Sequence, residues 1–287
     1  ATHPPVKAAP ECVACSIRQA LNTVRIVTGD QSAHLEVVRR ICRTMSRESL
    51  DQTPAHLSQP AYNIVASVTG VKDPYRQARR ESNRIALRLV PELRKLIGRS
   101  RDPLDTALHI AVAGNVIDLG IGHKFDIRKD VYRMTKENFA IDAIRDFRKE
   151  LKPGRKLLYL GDNAGEIVFD MLLVEELLLA GVEITFVVKS APIINDALVS
   201  DAREVGLTKL VKVITTGSND IGVYWPNTSR EFRKAFESAD LIVAKGHGNY
   251  ETCCDRKENL YFLLKAKCDI VADELGVKLG DMVFKHS

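Results

Sequence analysis

The stretch Arg155-Lys-Leu-Leu-Tyr-Leu-Gly-Asp-Asn-Ala-Gly-Glu166 decides the fold. It follows a break at Lys152-Pro153-Gly154, runs through a short apolar segment at 157–161, turns on Asp-Asn-Ala-Gly, and enters a helical pattern over 164–180. An apolar run feeding a helix through a tight polar turn opens a parallel α/β unit, because strands buried on both faces read as continuous apolar runs. The alternation continues downstream. Further strand-like runs fall at 184–188, 211–215, 241–244 and 270–272, and helical stretches at 195–205, 229–238 and 256–266. The spacing predicts an α/β/α domain over 153–287, built on a doubly wound, mainly parallel sheet.

Upstream of that break the periodicity is helical. Val13, Ile17, Leu21, Val24 and Val27 recur at three- and four-residue steps before Gly29, and Leu35, Val38, Cys42 and Met45 repeat the pattern. Asp73-Pro74 and Asp102-Pro103 read as N-caps followed by proline at the first helical position. Pro91 should break or kink the helix after Asp73, and a last helix is expected over 135–151 with Phe139, Ala143, Ile144 and Phe147 on one face. Residues 1–152 thus read as an all-helical part, with two small subdomains near 1–55 and 56–152.

Composition bounds the function. The chain has 287 residues, 45% apolar and 28% charged, which is globular rather than disordered. The most apolar segment, near Met171, is interrupted by Glu175 and Glu176, so no membrane span is expected. The opening Ala-Thr-His-Pro-Pro lacks the basic and apolar signature of a secretion signal. Together with six cysteines, too few for a disulfide scaffold of this length, it leads us to expect reduced thiols in the cytoplasm. Residues 1–150 hold 25 of the 42 Lys+Arg and 17 of the 37 Asp+Glu. The basic excess lies mainly in 76–101, which reads as a solvated helix face. No aromatic residues interleave with it, which speaks against nucleic acid as a partner.

Ligands of open parallel sheets bind beyond the carboxyl ends of the strands. There the chain carries Asp162-Asn163-Ala164-Gly165-Glu166 after the first run, and Lys189, Pro192, Asn195 and Asp196 after the second. Thr216-Gly217 follow the third run, and Lys245-Gly246-His247-Gly248-Asn249-Tyr250-Glu251 the fourth. Each piece has a plain use as a turn or cap. In combination, Asp162, Asn163 and Asp196 offer oxygen ligands suited to a hard cation such as Mg²⁺ or Mn²⁺. Lys245 adds a positive charge, and backbone N–H groups at helix starts near Gly165 and Gly248 would cradle an anion. A cation, a lysine and glycine-rich helix starts describe a phosphate site. No Walker loop, no Gly-x-Gly-x-x-Gly and no Gly-x-Ser-x-Gly elbow is present, which excludes a P-loop NTPase, a Rossmann dinucleotide site and a serine hydrolase. Cys12-x-x-Cys15 is a single pair, short of the four ligands of a structural zinc site, and Cys42 and Cys268 sit in apolar patterns as core residues. His109 and His123 read as structural.

Five segments in order resemble the damage-control phosphatase family, most closely its prokaryotic subgroup with an N-terminal cysteine pair. They are 11–21 around Cys12 and Cys15, 113–120 with Asn115 and Asp118, 161–166, 192–196 and 245–251. The resemblance implies a metal-dependent phosphatase of small phosphate esters with a helical part and an α/β/α domain. Carried over by motif, Asp162, Asn163 and Asp196 hold a divalent metal (Mn²⁺, Co²⁺, Ni²⁺ or Mg²⁺), with Asp201 the alternative to Asp196. Lys245 contacts the phosphate, Asn115 and Asp118 line the cleft, and Glu166 or Asp118 orients the attacking water. Gly165, Asn195, Gly246, Gly248, Asn249 and Glu251 fall in the same segments and count with the substrate-binding residues. His247 departs from the glutamine more usual in the family. The oligomeric state is not legible. Two rival classes are an S-adenosylmethionine-dependent carboxyl methyltransferase, which would need no metal at Asp162, and a non-catalytic nucleic-acid-binding module using the basic 76–101 face.

Overall fold

A computed structural model describes residues 6–114 and 127–287. Asn115, Asp118 and His123 lie outside the described residues. Three helices, α1 (Pro10–Val27), α2 (Gln31–Met45) and α3 (Pro54–Thr69), form a small bundle around Ala20, Val24, Ile41, Leu57 and Val65. α1 follows the expected pattern. On α2 the buried face is Val37, Ile41 and Met45; Met45 is shared with the expected stripe, but Leu35 and Cys42 are exposed and Val37 and Ile41 take their place. α3 supplies Leu57, Ala61 and Val65 to that core.

Next come α4 (Arg76–Arg99), α5 (Pro103–Gly114) and α6 (Ile127–Met134). α4 runs unbroken through Pro91. A proline costs about 3 kcal/mol in a helix interior, but Ala86, Val90, Leu93 and Ile97 are all buried on one face, and that burial exceeds it. Asp102 caps α5, accepting from Asp105 N–H at 3.1 Å. Asp73 does not cap α4; it pairs with Arg79 through both carboxylate oxygens.

The sheet is β1 (Ile141–Asp142), β2 (Lys156–Leu160), β3 (Glu183–Val188), β4 (Lys212–Thr215), β5 (Leu241–Lys245), β6 (Leu260–Lys265) and β7 (Met282–His286), in the order β1-β7-β6-β5-β2-β3-β4. Every pairing is parallel except β6 with β7. The helix expected over 135–151 is replaced by β1 and a shorter α7 (Ile144–Glu150), because Ile141 and Asp142 complete the sheet edge beside Val283 and Phe284. The all-helical reach therefore ends before residue 141. The remaining helices are α8 (Glu166–Leu179), α9 (Val199–Glu204), α10 (Arg230–Glu237), α11 (Gly246–Cys253) and α12 (Asp269–Leu275). Two assignments near the C-terminus are exchanged: 260–265 is a strand and 269–275 a helix. Leu260 to Leu264 are buried without a gap, as in a central strand, and α12 is closed by Gly276 in the left-handed region.

The α4, α5, α7 and α8 layer packs against one sheet face with Tyr159 and Phe284, and α10, α11 and α12 cover the other with Leu158, Leu160 and Phe262. No helix among the described residues is long and apolar enough to cross a membrane. Phe147 of α7 is fully buried, edge-on to Tyr261 and Phe284. Phe147→Ala should cost about 3–5 kcal/mol in urea unfolding; a loss below about 1 kcal/mol would show that α7 is not anchored in this core.

Candidate phosphate and metal site

The strand order reverses around β2: β3 lies on one side and β5 on the other, so the segments after these three strands meet at one rim. Two backbone bonds lock the first two together. Ala164 N–H donates to Asn195 O (2.9 Å) and Ala197 N–H to Asp162 O (2.8 Å), with a bridge between Asn163 and Asp196. Ile194, just before Asn195, has φ +45°, a conformation strained for a β-branched residue. The turn that delivers Asp196 is thus held by its surroundings. From the third strand, Gly246 stands at φ +77°, where an added Cβ would lie 1.9 Å from Asp162 Oδ2. The Asp162 carboxylate fills the space a side chain would occupy, so glycine is required there.

Under this rim lies a sealed ion cluster. Lys245, the last residue of β5, is fully buried, and its Nζ donates to Asp170 Oδ1 (2.5 Å), Glu166 Oε1 (2.6 Å) and Ala111 O (3.0 Å). Burial alone would lower the lysine pKa; the Asp170 and Glu166 carboxylates reverse that and raise it. Asp170 also accepts from Tyr159 Oη (2.7 Å), while its Oδ2 is buried without a partner. Burial raises Asp170 to about 6 against the pull of Lys245.

Asn163 Nδ2 donates to Asp162 Oδ2 (3.1 Å) and Glu166 Oε2 (3.3 Å), which commits its amide nitrogen and turns the oxygen away from both. Burial, then Glu166 and Asp196, push the Asp162 carboxyl well above its ordinary range. Burial raises Asp196 to about 6, opposed by Lys189, whose Nζ stands 3.7 Å from it and donates to Gly222 O. Lys267, exposed after β6, favours the charged form of Asp162. Two crowded carboxylates and an amide oxygen are a donor set that a hard divalent cation would satisfy.

Other sequence candidates have structural work. All three Lys245 N–H bonds point into the protein, so the lysine expected on phosphate is a buried counter-charge. The N–H of Gly165 is not offered to an anion: it donates to Asn83 Oδ1 (2.7 Å). Asn249 Nδ2 ties the ends of β2 and β5, donating to Gly161 O and Lys245 O. Gly248 packs against Gly222. Asp201 accepts from Leu198 N–H (2.9 Å) and Asn83 Nδ2 (3.1 Å) and faces Arg79 (3.4 Å), so Asp196 is the carboxylate at the rim. Glu251 lies on the far side of α11, toward the N-terminus of α3, where Ala55 N–H supports it. His247 Nε2 accepts from Lys267 N–H (3.0 Å) beside Lys265 O, and burial lowers it to about 4. Cys268 is exposed, contrary to expectation, while Cys12 is buried beside the bundle core. His109 is structural, bonded to Asp105 O and Glu137 O. Among residues the sequence reading missed, Asp170 left a signal: it lies one turn beyond Glu166 in an otherwise apolar stretch. Asn83 left none.

The family model described as the damage-control phosphatase ARMT1-like domain matches residues 8–283. A protein named damage-control phosphatase from Archaeoglobus fulgidus is 36% identical over 288 residues, covering 98% of this chain and 99% of its own. Damage-control phosphatase PH1575 from Pyrococcus horikoshii is 33% identical over 277 residues, covering 95% and 96%. A crystal structure titled as a DUF89 family protein (PH1575) from that organism superposes with a TM-score of 0.91 at 33% identity, over 98% of this chain and 99% of that one. The fold is that of this α/β family. The chain belongs to the damage-control phosphatase family, and its named relatives support a phosphatase role.

Glu251 supplies a pH prediction. Burial raises it from 4.5 to about 8, so its protonated form is favoured by folding. That contribution is complete below about pH 4.5 and is lost as pH rises through about 8. Thermal unfolding from pH 5 to 9 should show wild-type stability falling relative to Glu251→Gln. Parallel curves for the two proteins would mean that Glu251 is not buried as described.

Proposed function

We propose that the protein is a divalent-metal-dependent phosphatase acting on small phosphate monoesters, such as sugar phosphates or damaged phosphometabolites, in the cytoplasm. The observation that carries this reading is the meeting of Asp162, Asn163 and Asp196 across two backbone-locked loops, with the two aspartate carboxyls raised by burial and by the nearby Glu166. Those three residues would hold the cation. When bound, Mn²⁺, Co²⁺, Ni²⁺ or Mg²⁺ supplies Lewis acidity toward a phosphoryl oxygen and lowers the pKa of a water molecule.

The chain's own groups then have defined tasks. Lys267, exposed beside Asp162, neutralises charge on the phosphoryl oxygens. Glu166 orients the attacking water through Oε2, while Lys245 fixes its other oxygen. Lys245, Asp170 and Tyr159 act as a positioning chain beneath it. A pocket of about 200 Å³, lined by Tyr62, Lys72, Tyr75, Ile193, Ile194 and Asn219, adjoins the loop that carries Asp196. A cavity of about 150 Å³ holds a benzene molecule, so this one suits a single-ring group on the ester and not a polymer.

Phosphate release from a panel of sugar phosphates should appear only with added divalent metal, with Mn²⁺, Co²⁺ or Ni²⁺ outperforming Mg²⁺. Asp162→Asn should reduce turnover by about 10²-fold or more while the protein stays folded. Undiminished activity after exhaustive chelation, or in Asp162→Asn at saturating metal, contradicts the proposal.

A further inference from the structure

α4 makes a contact with the rim that no segment of the rim makes with itself. Asn83 is completely buried. Its Oδ1 accepts from Gly165 N–H at 2.7 Å, in the turn that carries Asp162 and Asn163. Its Nδ2 donates to Asp201 Oδ1 at 3.1 Å, in the segment that carries Asp196. One amide thus spans both loops. Its neighbours on α4 reinforce the attachment. The preceding Ser82 packs so closely that a Cβ on Gly165 would lie 2.8 Å from its Cβ. One turn earlier, Arg79 is gripped by Asp73 through two bonds and reaches Asp201 at 3.4 Å. Asp201 in turn accepts from Leu198 N–H, two residues beyond Asp196.

The chemistry of this contact is one-sided. An amide offers an acceptor to a backbone N–H and a donor to a carboxylate at once from two separate atoms, so it can span two loops, whereas a carboxylate only accepts. Aspartate would keep the first bond and set two carboxylates about 3 Å apart; alanine would leave the buried Gly165 N–H unpaired and take one donor from Asp201, which keeps Leu198 N–H and Arg79. The backbone bonds between Asn195 and Ala164 and between Asp162 and Ala197 fix the near ends of the two loops. Asn83 fixes the far ends and joins both to the helical part.

We propose that Asn83 is a positioning residue for the metal site, setting the separation of the Asp162–Asn163 and Asp196 ligands from α4. The proposal rests on the metal reading above. Partners that orient ligands in this way typically account for about 10–100-fold in metal affinity. Calorimetric titration with Mn²⁺ and the Mn²⁺-induced shift in Tm measure this without turnover. Asn83→Asp should weaken Mn²⁺ binding by about 10–100-fold, and adding Asp201→Asn, which restores a donor opposite residue 83, should recover part of it. Val90→Ala, two turns along the same helix, should lower Tm yet leave Mn²⁺ affinity unchanged. If Asn83→Asp does not fold alone, the double variant carries the test: near-wild-type Mn²⁺ affinity there supports the pairing. Unchanged affinity in a folded Asn83→Asp protein, or an equal loss in Val90→Ala, overturns the proposal. Wild-type protein that binds Mn²⁺ but releases no phosphate would remove the phosphatase reading and leave this one standing; no Mn²⁺ binding would remove it as well.

Discussion

An ammonium group sealed from water between two carboxylates is the constraint on which the rest of the site depends. Lys245 has no exposed surface, and its three donors are taken by Glu166, Asp170 and Ala111. Isolated burial of such a charge costs several kcal/mol, and only close, fully bonded partners offset it. Those partners come from α8 and α5, so the end of β5 is fixed to two helices at the point where α11 starts. Glu166 is thereby held at the first turn of α8, in reach of Asn163, and Asp162 is pressed against Gly246. The anionic excess at the rim follows: Lys245 is already neutralised by its own pair, which leaves Asp162 and Asp196 crowded with Lys189 and Lys267 at their edges.

The helical part is more than a cover. Its α4 reaches the rim through Arg79, Ser82 and Asn83, and α3 meets α11 near Glu251. The basic character of 76–101 has a matching explanation. Arg79 is buried in an ion pair, Arg84 pairs with Glu81, and Arg94 with Glu175. The charges that remain face solvent, as the patterning suggested. Kinship with the named phosphatases covers nearly the whole chain, helical part included.

How much of this was legible followed from the range of the interactions. β2 to β5 were read correctly because strands buried on both faces leave unbroken apolar runs. The rim residues were found because they follow those runs directly. The exchange of β6 and α12 came from short apolar segments that fit either period; the gapless burial from Leu260 to Leu264, a property of the sheet, decides between them. Lys245 was singled out for the right reason, a charge at a strand end, but its direction was not legible: Asp170 and Ala111 lie 75 and 134 residues away. Asn83 and Asp201, separated by 118 residues, belong to no motif, and only the folded chain brings them together.

Urea unfolding of Lys245→Met, alone and in a Glu166→Gln/Asp170→Asn background, tests the central claim most directly. If the sealed ion cluster holds the rim, the single substitution leaves two uncompensated buried carboxylates. It should then cost about 3–5 kcal/mol, with most of that loss disappearing in the neutralised background. A loss below about 1 kcal/mol, or the same loss in both backgrounds, would contradict the account.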